Sequence, residues 1–312
     1  MTTKYQPKTK KELKKLVENE RIKLGEIDTS LITDMSKIFY ASDREDFSGI
    51  EIWNVSNVTN MSFMFFQNKN FNNNISNWDV SSVTDMKSMF YDAQNFNCDL
   101  SKWNVSKVKD MQYMFCDAQN FNCDLSNWDV SSVTDMSHMF DGAIIFNSDL
   151  SRWDVSNVTS MLCMFYNAEN FNSDLSNWNI SKVTSISEMF YGAKSFSSNL
   201  SNWDVSNIKE MDGVFAYAEN FNGDISNWDV SRVTDMSGMF AYTKKFNSDL
   251  SGWDISNVKD MSGMFAYANF DCGISNWNVS IQTNIDKMFC GANFTGDIPE
   301  WYILRLKTEN GR

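Results

Sequence analysis

Residues 127–140 read N-W-D-V-S-S-V-T-D-M-S-H-M-F, and close copies of this string recur along most of the 312-residue chain. The tryptophans mark the copies, because they are spaced 25 residues apart eight times and then 24 residues apart twice. They are Trp53, Trp78, Trp103, Trp128, Trp153, Trp178, Trp203, Trp228, Trp253, Trp277 and Trp301. Self-similarity at such a period indicates stacked repeats, in which each copy buries its apolar side chains against its neighbours.

Residues 78–102 show how one copy is built. Trp78 and Val80 flank Asp79 in the alternation that is typical of a half-buried strand. The next apolar residues recur at positions i, i+3, i+4 and i+7, the spacing of one face of a short helix: Met86, Met89, Phe90 and Ala93. Asp85 precedes them and suits the N-cap of that helix, because its oxygens can accept from free N–H groups of the first turn.

The repeat therefore predicts an α/β fold: a leucine-rich-repeat-like right-handed solenoid with one parallel β-sheet face and short helices on the other. A β-solenoid is the alternative. In either fold, identical side chains of successive copies form columns in the interior. The core is predicted to contain Trp78, Trp103, Trp128, Trp153, Trp178, Trp203, Trp228 and Trp253.

Three segments follow from the pattern. Residues 1–26 are predicted to form an N-terminal helical cap, with Thr9 as its N-cap. Residues 27–301 are the tandem repeats, and residues 302–312 are predicted to be a closing strand and tail. The cap carries eight Lys or Arg and three Glu within residues 1–25, so its basic face could also make weak contact with an anionic membrane surface.

Composition excludes several classes of protein. The net charge of -13 opposes nucleic-acid binding, which needs a basic surface. No run of residues is long and apolar enough for a transmembrane helix, and the first 20 residues lack the apolar core of a signal peptide. The chain has a single histidine, His138, at a variable position of the repeat where we predict a surface residue. Since it also lacks a phosphate-binding or nucleophile motif, we predict no catalytic residue, metal or cofactor.

The cysteines do not form a regular framework, because they replace other residue types at variable positions. Cys98 and Cys123 occupy the same position of adjacent copies, so stacking would bring them within range of a disulfide. Free thiols are favoured in a reducing compartment, and the sequence leaves the choice open.

The position between the repeated Trp and Val is the most suggestive candidate for binding. We name it the Asx row; its members are Asp79, Asn104, Asp129, Asp154, Asn179, Asp204, Asp229 and Asp254. Three interpretations compete: local Asx turns with the following Ser, a polar binding face, or a Ca²⁺ site, of which the last is the weakest. Variable residues beside Trp could add contacts, among them Lys102, Arg152, Asn177 and Asn202.

The string at 127–140 resembles the repeat of about 25 residues found in mycoplasma-type lipoproteins and in BspA-like leucine-rich repeat surface proteins. The resemblance extends over roughly residues 27–301. It implies a non-catalytic binding or adhesion protein that presents an extended surface to a protein or glycan partner at the cell surface or after secretion. The alternative is an intracellular scaffold or effector in the cytoplasm, which the lack of a signal-peptide pattern favours.

Overall fold

The structure is a computed structural model that describes residues 3–270, 273–294 and 299–310. The chain divides into two compact units, Met1–Val158 and Thr159–Arg312. Within each unit successive repeats lie side by side, because residues 25 positions apart stack their rings and share hydrogen bonds. Tandem repeats are thus present as the sequence predicts.

Regular secondary structure is sparse. The first unit contains helix α1 (Lys10–Val17) and two 3₁₀ helices, Leu24–Glu26 and Ile50–Ile52. The second contains two parallel strands of two residues each, β1 (Asn269–Phe270) and β2 (Asn293–Phe294), and helix α2 (Glu300–Asn310). The predicted leucine-rich-repeat-like solenoid with a sheet face and a helix face is therefore wrong, and so is the β-solenoid alternative.

Consecutive turns take the place of the predicted helix. Met89 N–H donates to Met86 C=O at 3.1 Å, three residues back, and Ser88 has φ +52, which interrupts right-handed helix. Every second amide of the segment bonds to the next repeat instead: Ser88 to Gln112 C=O, Phe90 to Met114 C=O and Asp92 to Cys116 C=O, at 2.7–2.9 Å. The apolar spacing of a helix face is therefore met by a chain of turns that is hydrogen-bonded to its neighbour.

The predicted strand also gives way to turns. Trp103 N–H donates to Leu100 C=O at 3.0 Å, and Val108 N–H donates to Val105 C=O at 2.9 Å. Apart from the short pair β1 and β2, parallel pairing in the described repeats is limited to isolated bridges such as Asp85 with Asp110. Burial still alternates, with Trp and Val inside and the residue between them exposed, so the alternation reports side-chain orientation without a sheet.

The core consists of aromatic columns. In the first unit Phe90, Phe115 and Phe140 are fully buried, with ring centroids 5.6 and 5.7 Å apart and nearly parallel planes. Each of the eight tryptophans predicted for the core is at most 4% exposed. In seven of them, all but Trp178, the indole N–H is seen to donate to a backbone carbonyl of the preceding repeat, as Trp128 does to Leu100 at 3.0 Å. These indoles thus contribute both apolar burial and a fixed register between neighbours.

Helix α1 covers the first repeat. Thr9 accepts from Glu12 N–H at 3.2 Å, as an N-cap does, and Leu13 and Val17 are buried. Lys10 donates to Asp34, and Lys14 to Ile38 C=O. Since the apolar face of α1 is used in this packing, only its basic face is left to meet a membrane surface.

The C-terminal segment differs from the prediction. Residues 302–312 were expected to begin as a strand, whereas Glu300–Asn310 form helix α2. Pro299 precedes the helix, where its missing N–H costs nothing, and its carbonyl accepts from Tyr302 N–H at 3.0 Å. Arg305 joins α2 to the last repeat through Ser280 C=O and Thr283 C=O. Within the described ranges no helix is long and apolar enough to cross a bilayer.

Candidate binding surfaces

The Asx row is exposed in both units, and each member forms an Asx turn. The Oδ1 atom accepts from the N–H of the Ser two residues on at 3.0 or 3.1 Å in all eight positions. In Asp129, Asp204 and Asp229 the Ser hydroxyl also donates, at 2.6 Å. The first of the three interpretations is therefore what the structure shows, and it fixes each carboxyl in one orientation.

These turns favour the ionised form of three of the aspartates. Hydrogen bonds from Ser81 lower the pKa of Asp79, and hydrogen bonds from Ser231 lower the pKa of Asp229. The pKa of Asp254 is lowered by Ser256 in the same way, against a smaller opposing effect of the Asp229 charge. Each unit thus presents an exposed, oriented row of carboxylate and amide side chains. Lys102, Arg152, Asn177 and Asn202 are exposed as well.

A second surface row was missed by the sequence reasoning. It lies one or two residues after the buried Phe of several repeats. In the first unit Phe66 stacks between Tyr40 and Tyr91 at 4.6 Å on each side. In the second unit Tyr166 stacks on Tyr191 at 4.5 Å. Two residues after Phe, a ladder of three stacked rings follows at 4.3 and 4.7 Å: Tyr217, Tyr242 and Tyr267. The two groups meet at Tyr191 and Tyr217, whose rings are tilted by 49°. The signal was visible in the strings F-Y and F-A-Y, which periodicity alone does not pick out because the residues lie outside the apolar pattern.

His138 is half-buried instead of lying freely on the surface. Its Nδ1 lies 2.9 Å from Asp141 Oδ2, and its ring stacks on Tyr113 at 4.4 Å. Nearby, burial and the neighbouring carboxylates of Asp141 and Asp92 raise the pKa of Asp117. In the part of the chain that the structure describes, no three His, Cys, Asp or Glu side chains are placed to hold a metal ion.

Cys98 and Cys123 are buried free thiols. The sulfur of Cys98 accepts from Ile75 N–H at 3.3 Å, and that of Cys123 accepts from Leu100 N–H at 3.0 Å. Ser148 Oγ makes the equivalent contact with Leu125 N–H at 2.8 Å. Because a hydroxyl serves equally well, these cysteines satisfy backbone amides between repeats.

Comparison with known proteins supports a repeat family. The family described as "Mycoplasma protein of unknown function, DUF285" matches residues 10–126, 98–203 and 184–301. The chain belongs to this family, which confirms the mycoplasma-type repeat that the sequence resembles. A comparison with curated proteins found no relative. Among solved structures, one titled "Crystal structure of TLR13-ssRNA13 complex" is 10% identical with a TM-score of 0.17, covering 86% of this chain. This chain spans about half (46%) of that one.

Proposed function

We propose that this member of the repeat family is a non-catalytic binding protein that presents an extended surface to a protein or glycan partner at a cell surface. The supporting observation is the Asx row, in which each side chain is exposed and held by its own turn. A surface oriented before contact loses little conformational entropy on binding, so weak contacts made by several repeats can add up.

The cell-surface location rests on the resemblance to BspA-like surface proteins, and the non-catalytic role on the use of the polar side chains. The one histidine is engaged by Asp141 and Tyr113. The aspartates of the Asx row are committed to their own backbone turns. Both features favour recognition over turnover.

The test is a binding screen against host surface proteins and a glycan array, followed by charge removal in the Asx row. The variant D129N/D154N/D204N/D229N keeps every Asx acceptor, since Asn occupies the same position at Asn104 and Asn179. At about 0.5 kcal/mol for each exposed charge, we expect affinity to fall roughly 30-fold.

A matched control uses the other exposed Asx position of the repeat. D99N/D124N/D174N/D249N removes the same charge from residues that make the same turn with a following Ser, at 2.9 Å. We expect affinity to change less than threefold. Equal losses in the two variants would mean that only net charge matters, and no loss in either would remove the Asx row as the contact surface.

A further inference from the structure

Helix α1 is held firmly against the first repeat. Leu13 and Val17 are buried on its inner face. Arg44, only 7% exposed, donates to the carbonyls of Val17 and Ile22 at 2.9 and 2.8 Å. These bonds tie the end of the helix and the turn after it to the repeat. The outer face of α1 is therefore presented in one orientation.

That outer face carries three lysines, which we name the basic stripe: Lys8, Lys11 and Lys15. Lys11 and Lys15 are each two residues from Leu13, so they lie about 200° around the helix from it. Lys8 comes just before the N-cap residue Thr9. All three lysines are exposed. The stripe thus points away from the first repeat.

The basic stripe has no counter-charge in contact. Among the described residues, no carboxylate lies within 4 Å of its ammonium groups or of Arg21, which is exposed just after the helix. Like charges at the spacing of Lys11 and Lys15 destabilise a helix slightly. Folding stability therefore gives no reason for the stripe, and we look for its role on the surface.

The cap and the repeats carry opposite charge. Residues 1–25 hold eight Lys or Arg and three Glu, a net charge of +5, so the rest of the chain holds -18 of the total of -13. An anionic surface would attract the cap and repel the repeats. Because charges more than about 8 Å apart are largely screened at physiological ionic strength, contact depends on the local charge of the stripe.

The chemistry of the stripe fits a plane of diffuse negative charge. Lysine ammonium groups are hydrated point charges on flexible stems, and they lack the fixed fork with which arginine recognises one carboxylate or phosphate. Anionic lipid headgroups attract clusters of four or more Lys and Arg, with roughly a fivefold gain in affinity for each. The stripe and Arg21 together make such a cluster.

We propose that the basic stripe, with Arg21, docks the chain end-on to an anionic lipid bilayer. Because Leu13 and Val17 are buried against the first repeat, α1 adsorbs to the headgroups and does not insert its apolar face. The exposed carboxylates of the Asx row are repelled by the same bilayer and stay available to another partner. This docking goes beyond the binding function proposed above and does not depend on it.

The test is sedimentation of the full chain with sucrose-loaded vesicles. One set contains about 30% phosphatidylserine in phosphatidylcholine, and the other contains phosphatidylcholine alone. We expect saturable binding to the anionic vesicles at about 0.1 M salt, binding at least tenfold weaker at about 0.5 M salt, and none to phosphatidylcholine alone.

Charge removal locates the contact. The variant K8Q/K11Q/K15Q should bind the anionic vesicles about 100-fold more weakly. Gln forms helix nearly as well as Lys, and the repulsion within the stripe is removed, so the melting temperature should be equal or slightly higher. The matched control K102Q/K107Q/K109Q removes the same charge from three exposed lysines of one repeat and should bind within threefold of the parent.

A second variant should strengthen binding. Glu12 and Glu18 flank the stripe; Glu12 accepts from Lys8 N–H at 2.7 Å, and Glu18 lies 3.7 Å from Lys14. E12Q/E18Q keeps both acceptors and removes two negative charges, so we expect affinity to rise at least threefold. Damage to the fold could not produce such a gain.

The outcomes separate the bilayer from other partners. Absence of binding to the anionic vesicles, or equal binding by the parent and K8Q/K11Q/K15Q, would overturn the proposal. Equal losses in the two lysine variants would show that only net charge matters and would remove the stripe as the contact. Retention on immobilised heparin that the same variant loses, without vesicle binding, would assign the stripe to an anionic polysaccharide instead. None of these results bears on a partner that binds the Asx row.

Discussion

Truncation of one ring in the Phe column should destabilise the first unit far more than truncation of a surface ring. Phe115 is fully buried and contacts four other rings, with Phe121 at 3.9 Å and Phe90 and Phe140 at 5.6 and 5.7 Å. A buried Phe→Ala change costs about 3–5 kcal/mol. We expect the upper part of this range, about 4–5 kcal/mol, because ring pairs add to area burial.

The assay is thermal and urea unfolding of Phe115→Ala beside Phe66→Ala. Phe66 is half-buried, and its ring contacts are with Tyr40 and Tyr91 at 4.6 Å and with Phe63 at 5.9 Å, none of which is in the buried column. Its loss should therefore cost about 1 kcal/mol. At roughly 2–4 °C for each kcal/mol, Phe115→Ala should lower the melting temperature by about 10 °C or more. Similar losses in the two variants would refute the Phe column as the main source of stability.

The same variant also has a predicted spatial pattern. Since each repeat contacts only its neighbours, damage should be local. Hydrogen exchange should accelerate first at Phe90 and Phe115, whose amides donate to Met114 and Met139 across the affected repeats. Uniform acceleration along the first unit would show instead that the unit opens as one cooperative block.

Three other changes have defined outcomes. Asp117→Asn should raise stability at pH 7. Burial and Asp141 raise the pKa of Asp117, so between its unfolded and folded pKa values the folded state keeps a proton that the unfolded chain has released. The stability of the parent therefore falls as pH rises through that interval. Melting temperatures from pH 4 to 7 should therefore decline less in the variant. Trp128→Phe removes one of the two donors to the buried Leu100 carbonyl and leaves Trp103 N–H in place, so it should cost about 1 kcal/mol in urea unfolding. Burial raises the pKa of Cys123 to about 11. Iodoacetamide at pH 8 should therefore modify this thiol far more slowly in folded than in urea-unfolded protein. Equal rates would contradict its burial.

The repeat and the identity of its core residues could be predicted because they depend on side-chain patterning. Trp78 and Val80 are buried and Asp79 between them is exposed, as alternation predicts. The columns of stacked Phe rings follow from the fixed period. The Thr9 cap of α1 is also as predicted, because capping depends on a few neighbouring residues.

The backbone between those residues could not be predicted, because two conformations use the same residue types. Asp85 was expected to cap a helix, and its Oδ1 instead accepts from Lys87 N–H at 3.0 Å in an Asx turn. Caps and Asx turns both favour Asp and Asn. The left-handed residue at Ser88 then breaks the helix. No glycine stands at that position to indicate a left-handed residue, so the local sequence does not distinguish a helix N-cap from an Asx turn.

The surface could be predicted only in part, because a search for repetition finds the positions that recur in every copy and overlooks those that depart from the repeat. The Asx row recurs in every copy and was found, whereas the ladder of Tyr217, Tyr242 and Tyr267 departs from the repeat and was missed. Inward positions repeat because each must match the same neighbour, as Phe215 does with Phe190 and Phe240. Outward positions carry no such constraint. A binding specificity that distinguishes one region of the array from another must therefore reside where neighbouring copies share a departure from the consensus.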